Sequence, residues 1–547
     1  MLDYRKDNQK KGLVKWLSFL HLHIVPLIVV IAVIAGIVGT VIIVRENQGK
    51  QQEEGEDTFT LEPATVTYLP IQQIASFDPL ASNDADMAMI SPLLYSSLFV
   101  LDDTLGVEGQ LVSDYTADPG TGSVALTLRQ DAVFSNGTGL TADDVEFTIS
   151  TIRSIGAGSP YYVYISRIGS VTVTGEYTLT ITFASPTDAA LDNLVFPIVC
   201  QSAYGEGVSF APGTGPYKYQ DYEAGKSVSL AANPYYYGTA PSLPVELMIL
   251  SSRTLAPGYM TMGAVTAYVT EASDGDSIAK DKDLAYQKIP SSRFEYVGFN
   301  CTAGWMADVR MRQAVAYAIN QEEIVRDNYG GSALVSDSLY YPGFLGSSED
   351  DAYGYDPQMV ATLFGELGLK DVDEDGVLET ATGEELVLTI LVSNDVSSRA
   401  DTAVSIQEQL GHVGLQATVV SVSRAEYNSK LASKSFDLYL GGMTADKQFR
   451  LTELFTTNNP TGFADGETLA AIGSLELCQD QASLEAAFAV VKEKLNQQMP
   501  YYAICYQTDF FLSVDTLQTS VEPTFWNWYR GCESWTWERK IPVDSEK

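Results

Sequence analysis

Residues 131–149 (DAVFSNGTGLTADDVEFTI) constrain the fold more than any other stretch, because an extended run, a turn and a capped helix follow one another there. Residues 132–134 end the extended run, and Asn136-Gly137 is a typical turn pair. Thr141 and Asp144 have the spacing of a capping box, in which both side chains bond to backbone N–H groups at a helix start. Helical spacing then predicts one face that consists of Val145, Thr148, Ile149 and Ile152.

Residues 24–44 form a 21-residue run without a charged side chain. At about 1.5 Å per residue, a helix of this length spans roughly 30 Å, the thickness of a hydrocarbon core. A cleaved signal peptide is the alternative, but its apolar region is typically about 7–15 residues long and ends in small residues. The run therefore predicts a transmembrane signal anchor. The basic residues before it predict a cytoplasmic tail at 1–23 and an extracytoplasmic, single-pass body.

Composition describes a large, acidic, folded body. The 547 residues exceed what one small core needs, which predicts two or more lobes. Hydrophobic residues at 45% and aromatic residues at 11% are typical of a globular protein. The net charge of −37 repels phosphate backbones, so nucleic-acid binding is excluded as a function class.

Cysteine and histidine usage argues against several kinds of site. The five cysteines contain no Cys-x-x-Cys pair, which leaves zinc ribbons and thioredoxin sites unsupported, and their pairing stays open. Only His412 lies beyond the apolar run, so Ser-His-Asp or Cys-His catalysis would depend on it alone. A zinc site, or nickel capture by several imidazoles, lacks ligands for the same reason. We expect no catalytic residue, no metal site and no cofactor.

The acidic run DVDEDGVLE (371–379) resembles the start of a calcium loop. Its twelfth position is Thr382 instead of the glutamate that calcium needs, and no helix pair flanks it. The favoured interpretation is an acidic β-turn before a strand at 386–391.

Strands and helices are mixed along the body. Residues 45–58 are polar and predict a flexible linker. Residues 177–183 and 501–511 are β-like, whereas Asp308 can cap a helix, and 402–410 and 484–495 have helical spacing. The mixture lacks a strict βαβ repeat, which favours an α/β body of several sheets.

Ordered blocks of the body resemble the peptide/nickel family of ABC-transporter solute-binding proteins. The blocks run from about residue 59 to about residue 538, and besides 131–149 they are SFDPL (76–80), LYSSLF (94–99), GTGPYKY (213–219), NPYYYG (233–238), FN (299–300) with DVRMRQAVAYAINQEEIV (308–325), SIQEQLGHVGLQATVV (405–420) and FDLYLGGMTAD (436–446).

The resemblance implies an α/β, bilobal, periplasmic-binding-protein-like (venus-flytrap) fold with an extra subdomain. Lobe I is expected at 59–290, with the subdomain at about 95–205, lobe II at 291–505, and a return to lobe I at 506–547. The implied function is an extracytoplasmic receptor that passes peptides or related solutes to ABC permease subunits with cytoplasmic ATPases. Alternatives are a membrane-anchored sensory or chaperone-like ectodomain and, more weakly, a hydrolase.

The segment 436–446 is the main predicted binding site. A short strand that ends in Gly441-Gly442 lets another backbone approach, because no side chains obstruct it. A peptide there would bond to strand N–H and C=O groups beside Tyr439 and Met443. By the resemblance, Asp446 would bind the α-ammonium of the ligand, in a charge-assisted contact.

Further candidates are weaker. Position on the opposing lobe suggests Tyr95, Ser96 and Ser97 as ligand contacts. Aromatic residues could line the cleft, and two arginines could hold an anionic group, although packing and local ion pairs are the favoured interpretations: Trp305, Tyr340 and Tyr341 for the cleft, Arg310 and Arg312 for the anion.

Overall fold

The computed structural model describes residues 59–542 except for 119, 186–190, 206–209, 272–273, 347–352, 446, 448, 450, 476–477 and 479–480. The predicted tail, signal anchor and linker therefore lie outside the described residues, as does Asp446. None of the described helices has the length and apolarity that crossing a bilayer requires.

The strands are β1 (Phe59–Pro63), β2 (Thr67–Ile71), β3 (Phe99–Leu101), β4 (Val107–Gly109), β5 (Val112–Asp118), β6 (Ser123–Leu128), β7 (Ile168–Gly175), β8 (Thr178–Phe183), β9 (Tyr217–Glu223), β10 (Ser227–Ala232), β11 (Val245–Ile249), β12 (Ala267–Thr270), β13 (Ala285–Phe299), β14 (Ala333–Val335), β15 (Val387–Ser393), β16 (Gln416–Val422), β17 (Leu438–Thr444), β18 (Tyr501–Ser513) and β19 (Glu538–Pro542).

The α-helices are α1 (Ala85–Leu94), α2 (Ala142–Ile155), α3 (Tyr162–Ile165), α4 (Ala256–Thr261), α5 (Gly275–Lys282), α6 (Val309–Ala318), α7 (Gln321–Asn328), α8 (Pro357–Glu366), α9 (Ser397–His412), α10 (Arg424–Ala432), α11 (Gly466–Ser474) and α12 (Gln481–Gln498). Short 3-10 turns connect some of them, including Leu191–Leu194, Trp305–Ala307 and Phe344–Gly346.

The capping box predicted at the start of α2 is confirmed. The Asp144 carboxylate accepts bonds from the Thr141 backbone N–H at 2.9 Å and from the Thr141 hydroxyl at 3.0 Å. Its other oxygen accepts the Gln201 N–H at 2.9 Å, which ties the helix to a distant segment. The predicted face is also confirmed, since its four members are buried: Val145, Thr148, Ile149 and Ile152.

Other helix predictions agree with the structure. The Asp308 side chain accepts the Arg310 N–H and so caps α6. Two predicted stripes lie on α9 and α12, where Ile406, Leu410, Phe488 and Val491 are buried. In each case the apolar face packs against a sheet or a neighbouring helix, which gives a short helix most of its stability.

Two sheets belong to the first part of the body, one antiparallel and one mixed. The order β5-β6-β8-β7 forms one sheet, and the order β2-β11-β10-β9 forms another, in which β2 and β11 run parallel. Their inner faces and α2 share one hydrophobic core, which we call the lobe I core, and representative members are Leu69, Ile149, Ile181, Leu230 and Trp535.

A third, mixed sheet has the order β12-β18-β13-β17-β15-β16, with β14 paired to β18. Two adjoining clusters that contact it, which together we call the lobe II core, include Val297, Ile390, Ile406, Tyr439, Phe449 and Tyr502. β13 and β18 join the two cores, because Ile289 and Phe511 lie in the lobe I core whereas Val297 and Tyr502 lie in the lobe II core.

Residues 59–62 and 539–542 belong to a separate compact unit, in which β1 pairs with β19. The larger unit comprises Pro63–Glu538 and contains both cores.

All five cysteines are described, and all five are thiols without a disulfide: Cys200, Cys301, Cys478, Cys505 and Cys532. Burial raises the pKa of the Cys505 thiol well above its ordinary value, and it does the same for Cys532. Buried thiols of this kind are inert, so the structure assigns them to packing.

The capping box gives a stability prediction. Asp144→Ala removes the Thr141 and Gln201 contacts together, and we expect the free energy of unfolding to fall by about 2 kcal/mol. The neighbouring exposed Asp143→Ala is the matched control and loses only a few tenths of a kcal/mol. Urea unfolding of both variants measures the difference; equal midpoints would contradict the contribution assigned to Asp144.

Candidate functional site

The strand β17 has one fully paired side and one partly open side. Its residues 438–444 pair with 293–299 of β13 along their whole length. On the other side, only Leu438 and Tyr439 pair with β15. On the β15 side, the last part of β17 therefore has no strand neighbour.

The open part of β17 exposes backbone groups. The Ala445 N–H donates to the Ser292 carbonyl of the β13 side at 2.9 Å, and the Leu440 carbonyl accepts the Tyr427 hydroxyl on the opposite side at 2.7 Å. Since backbone groups alternate along a strand, those of Gly442 and Thr444 also point away from β13. Both residues are exposed, and among the described residues neither has a hydrogen-bond partner there. We call Gly442–Thr444 the open edge.

The two glycines of β17 have a different role from the predicted one. A Cβ at Gly441 would lie 2.5 Å from the Tyr296 ring, and a Cβ at Gly442 would lie 1.9 Å from the Arg399 guanidinium. The expectation that these faces admit a ligand backbone was wrong, because side chains of the same chain occupy them. The open edge lies in the plane of the sheet and is unaffected by this correction.

The Arg399 guanidinium is held by a buried carboxylate. It donates two parallel bonds to Glu295, at 2.6 and 3.0 Å, and Gln507 donates to the same carboxylate at 3.0 Å. The Glu295 side chain is 3% exposed and that of Arg399 is 10% exposed. A fork of this geometry fixes the orientation of both planes, so it fixes α9 against β13 and β18.

A small cavity lies between the segment around residues 105–107 and residues of the lobe II core. It measures about 20 Å³ and is lined by Leu105, Val107, Asp192, Phe344, Phe449, Leu475 and Leu484. Leu105 comes from the first part of the chain but packs in the lobe II core. Two hydrogen bonds cross the same boundary, from Leu345 N–H to the Thr104 carbonyl at 2.8 Å and from Val107 N–H to Gln481 Oε1 at 3.2 Å. The segment around residues 104–107 is therefore in contact with residues 345 and 481 here.

Several predicted site residues are core residues. The Tyr439 ring packs edge-on against Tyr296 and Phe436 and is 1% exposed. Tyr340 packs against Phe344 and Phe488 and is 2% exposed. Their side chains are thus not on an accessible cleft wall in this conformation, whereas Met443 is half-buried beside the open edge.

The candidates on the opposing lobe have structural partners. Tyr95 is buried and contacts the glycine turn at Gly213, where a Cβ would meet its ring at 2.5 Å. The Ser96 hydroxyl accepts the Tyr237 hydroxyl at 2.9 Å, and the Ser97 N–H donates to Gln110 at 2.7 Å. Trp305 packs against the lobe II core. None of these four lies among the residues that line the cavity.

The two arginines suggested for an anionic ligand are occupied. Arg310 pairs with Asp308 at 2.6 Å. The buried Arg312 donates to backbone carbonyls, including those of Met306 at 2.7 Å and Met499 at 3.0 Å. The favoured interpretation of local contacts therefore agrees with the geometry.

The acidic run forms a turn, as expected, since Lys370 pairs with Glu379 across it. Carboxylate oxygens of Asp371, Asp373, Asp375 and Glu379 lie within 4.8 Å of one another. The sequence pattern does not predict Glu379 as a member of this cluster. The Glu379 carboxylate also accepts a hydrogen bond from the Val372 N–H at 2.7 Å.

An irregularity in the β13–β18 ladder lies beside the open edge. Pro290 pairs with Thr508 and Phe294 with Tyr506, so β13 carries two extra residues between these pairs. Within this bulge Arg293 bonds to the buried Asp509 at 2.6 Å. Burial raises the pKa of Asp509 to about 6, although Arg293 opposes the shift.

Comparison with known proteins identifies relatives over most of the body. The sequence model of the bacterial extracellular solute-binding proteins, family 5 Middle, matches residues 106–464. A putative ABC transporter peptide-binding protein of Brucella ovis is 27% identical over 390 residues, which cover 68% of this chain and 69% of that protein.

Solved structures show the same fold. A nickel ABC transporter protein of Bacillus halodurans has a TM-score of 0.73 at 16% identity and covers 86% of this chain and 100% of its own. The oligopeptide-binding protein AppA of Bacillus subtilis, in complex with a nonapeptide, has a TM-score of 0.52 at 21% identity, with 88% and 100% covered. The predicted α/β, periplasmic-binding-protein-like fold is confirmed by these similarities.

The glycine–arginine contact can be tested by adding one methyl group. Gly442→Ala places a Cβ against the Arg399 guanidinium and displaces it from Glu295, so we expect a loss of about 1–3 kcal/mol in the free energy of unfolding. Gly466→Ala is the control, because nothing lies within 4 Å of a Cβ there. Unfolding in guanidinium chloride compares the midpoints of the two variants. An unchanged midpoint for Gly442→Ala would refute the contact with Arg399.

Asp509 gives a pH prediction. Its folded pKa of about 6 lies above the ordinary value of 3.8, so the folded state binds a proton more tightly than the unfolded state between these values. The contribution of this group to stability is therefore present below about pH 4 and is lost as the pH rises through 6. The difference in melting temperature between the wild type and Asp509→Asn should fall over this range; parallel curves would contradict the assignment.

Proposed function

This chain belongs to the bacterial extracellular solute-binding proteins, family 5, and on that premise we propose that it is the receptor of an ABC importer for peptides or related small solutes. The observation that carries the peptide class is the open edge, where exposed backbone groups of β17 have no strand neighbour on the side away from β13. The Brucella relative, named as a peptide-binding protein, supports the same class.

The open edge suits a ligand that presents a main chain. An extended peptide laid beside Gly442 and Thr444 could exchange N–H and C=O bonds with them, as an added strand does. Such bonds do not depend on the ligand side chains, so they would give affinity for many sequences. Met443 and the residues that line the cavity would then meet the side chains. Asp446, two residues after Thr444 in the sequence, is proposed to bind the α-ammonium of the ligand.

Ligand entry requires the lobes to separate. A cavity of about 20 Å³ has room for about one water molecule. The hydrogen bonds of Leu345 with Thr104 and of Val107 with Gln481 would break at that step. A solute that touches both lobes then stabilises the closed form by its differential affinity for the two forms. The closed form would be the one that the permease recognises.

Residues 24–44 are proposed to anchor the receptor in the cell membrane, with the body on the extracytoplasmic side and 45–58 as the linker. Domain boundaries near 290 and 505 are proposed as the places where β13 and β18 bend during opening. Both lie close to the bulge between Pro290 and Phe294. The proposed role involves binding and transfer of a solute without a chemical step.

Two proline substitutions in β17 test the proposed backbone hydrogen bonds between the open edge and a peptide. Thr444→Pro removes an N–H that points away from β13, so the ladder should survive while peptide affinity falls about 2–10-fold, the worth of one hydrogen bond. Met443→Pro, the control, removes an N–H on the paired side and should lower the melting temperature. Isothermal titration of the full-length protein with a defined mixture of di- to pentapeptides measures the affinity.

Two outcomes of that titration would count against the proposal. Heat from a sugar or a metal complex, with none from peptides, would overturn the ligand class. Equal peptide affinities of the wild type and Thr444→Pro would overturn the proposed backbone hydrogen bonds at the open edge. The proposed ligand class would be unaffected.

A further inference from the structure

The open edge has a definite beginning. Backbone groups of alternate residues in β17 point away from β13, and the last carbonyl of this set before the open edge belongs to Leu440. A ligand cannot use this carbonyl, because the Tyr427 hydroxyl of α10 donates to it at 2.7 Å. The first outward-pointing residue with unbonded backbone groups is therefore Gly442.

The other end of the open edge is close to the first. β17 ends at Thr444, and the next residue, Ala445, is buried with its N–H bonded to the Ser292 carbonyl on the β13 side. Two outward-pointing residues, Gly442 and Thr444, thus lie between Leu440 and the end of the strand. Together they present two N–H and two C=O groups.

The Tyr427 side chain is held in place at the beginning of the open edge. It is buried, and its ring packs edge-on against Tyr439 with the centroids 6.3 Å apart. The Arg424 guanidinium lies over the same ring, 5.5 Å from its centroid. Burial raises the pKa of the Tyr427 phenol above its ordinary value, so the hydroxyl keeps its proton and remains a donor. Another donor could reach the Leu440 carbonyl only if this side chain left.

Four backbone groups match a short ligand. In an antiparallel ladder, a residue exchanges both bonds with one residue of the neighbouring strand, and successive exchanges are two residues apart. The proposed contact of Asp446 with the α-ammonium places the ligand N-terminus beyond Thr444, so the ligand would run antiparallel to β17. Its first residue then pairs with Thr444 and its third with Gly442. Its fifth would lie opposite Leu440, where Tyr427 is bound.

We propose that Tyr427 is a positioning residue that limits main-chain recognition to three residues of a peptide, because it occupies the Leu440 carbonyl beside the open edge. The inference rests on the proposed function and deepens it, since it narrows the substrate class to short peptides. A longer peptide gains no further backbone hydrogen bond from β17. Each such bond changes the affinity about 2–10-fold.

A series of alanine peptide amides with free amino termini measures this limit. The di-, tri-, tetra- and pentapeptide carry the same charge and the same side chains, so they differ in length alone. Isothermal titration of the full-length wild type should show about 2–10-fold tighter binding of the tripeptide than of the dipeptide. The tetrapeptide and the pentapeptide should bind within about twofold of the tripeptide, because they add no bond to β17.

Two methylated tripeptides test the register. A methyl group on the third backbone nitrogen removes the donor to the Gly442 carbonyl, so the affinity should fall about 2–10-fold. A methyl group on the second nitrogen is the matched control. The N–H at that position points away from β17, since backbone groups alternate along a strand, and its loss should leave the affinity unchanged.

Two protein variants test the role of Tyr427. Tyr427→Leu removes the hydroxyl and the ring and frees the Leu440 carbonyl, so the pentapeptide should bind about 2–10-fold tighter than the tripeptide. The affinity for the tripeptide should stay at the wild-type value. Tyr501→Leu is the matched control, because this buried tyrosine donates at 2.8 Å to the Leu454 carbonyl, which lies outside β17. It should keep the wild-type dependence on length, and melting temperatures confirm that both variants are folded.

The outcomes distinguish the inference from the function on which it rests. Three results would overturn the inference alone: a wild type that binds the pentapeptide more than about twofold tighter than the tripeptide, a loss of affinity from methylation of the second nitrogen but not of the third, or a wild-type dependence on length in Tyr427→Leu. If the wild type binds none of the peptides, the peptide class is wrong and the inference is overturned with it. The length series and the methylated peptides use the wild type, so they decide the limit even if Tyr427→Leu does not fold.

Discussion

The fork between Arg399 and Glu295 determines the form of the site. Neither charge could remain in the interior alone, because an unpaired buried charge costs several kcal/mol. Their pairing joins α9 to β13, and Gln507 adds β18 to the same point. The guanidinium then occupies the side-chain space of Gly442, so a larger residue at position 442 would displace it. The open edge itself follows from the ladder, because β15 pairs only with Leu438 and Tyr439.

Local signals in the sequence were enough to predict four of the helices, α2, α6, α9 and α12. A capping box, an Asp cap and apolar stripes depend on residues within one or two turns, and Thr141–Asp144, Asp308 and the α12 stripe all have the predicted form. Sheet order is a different matter, because it depends on contacts between residues hundreds of positions apart. The bulge between Pro290 and Phe294, which shifts two strands against each other, has no local signature of that kind.

The site was only partly predictable for a related reason. The resemblance located β17, and its glycines do mark close approaches, but of Tyr296 and Arg399 instead of a ligand. From the sequence, an aromatic residue can belong either to a cleft wall or to a core. The structure places three of the candidates in cores: Tyr95, Tyr340 and Tyr439.

The absence of a disulfide among the five cysteines has a consequence for how this protein can be made. A secreted domain that depends on cystines must meet an oxidase after export, and mispairing can trap it. In this chain the two large apolar cores and the buried ion pair provide the cohesion, and no disulfide has to form for the described fold to be complete.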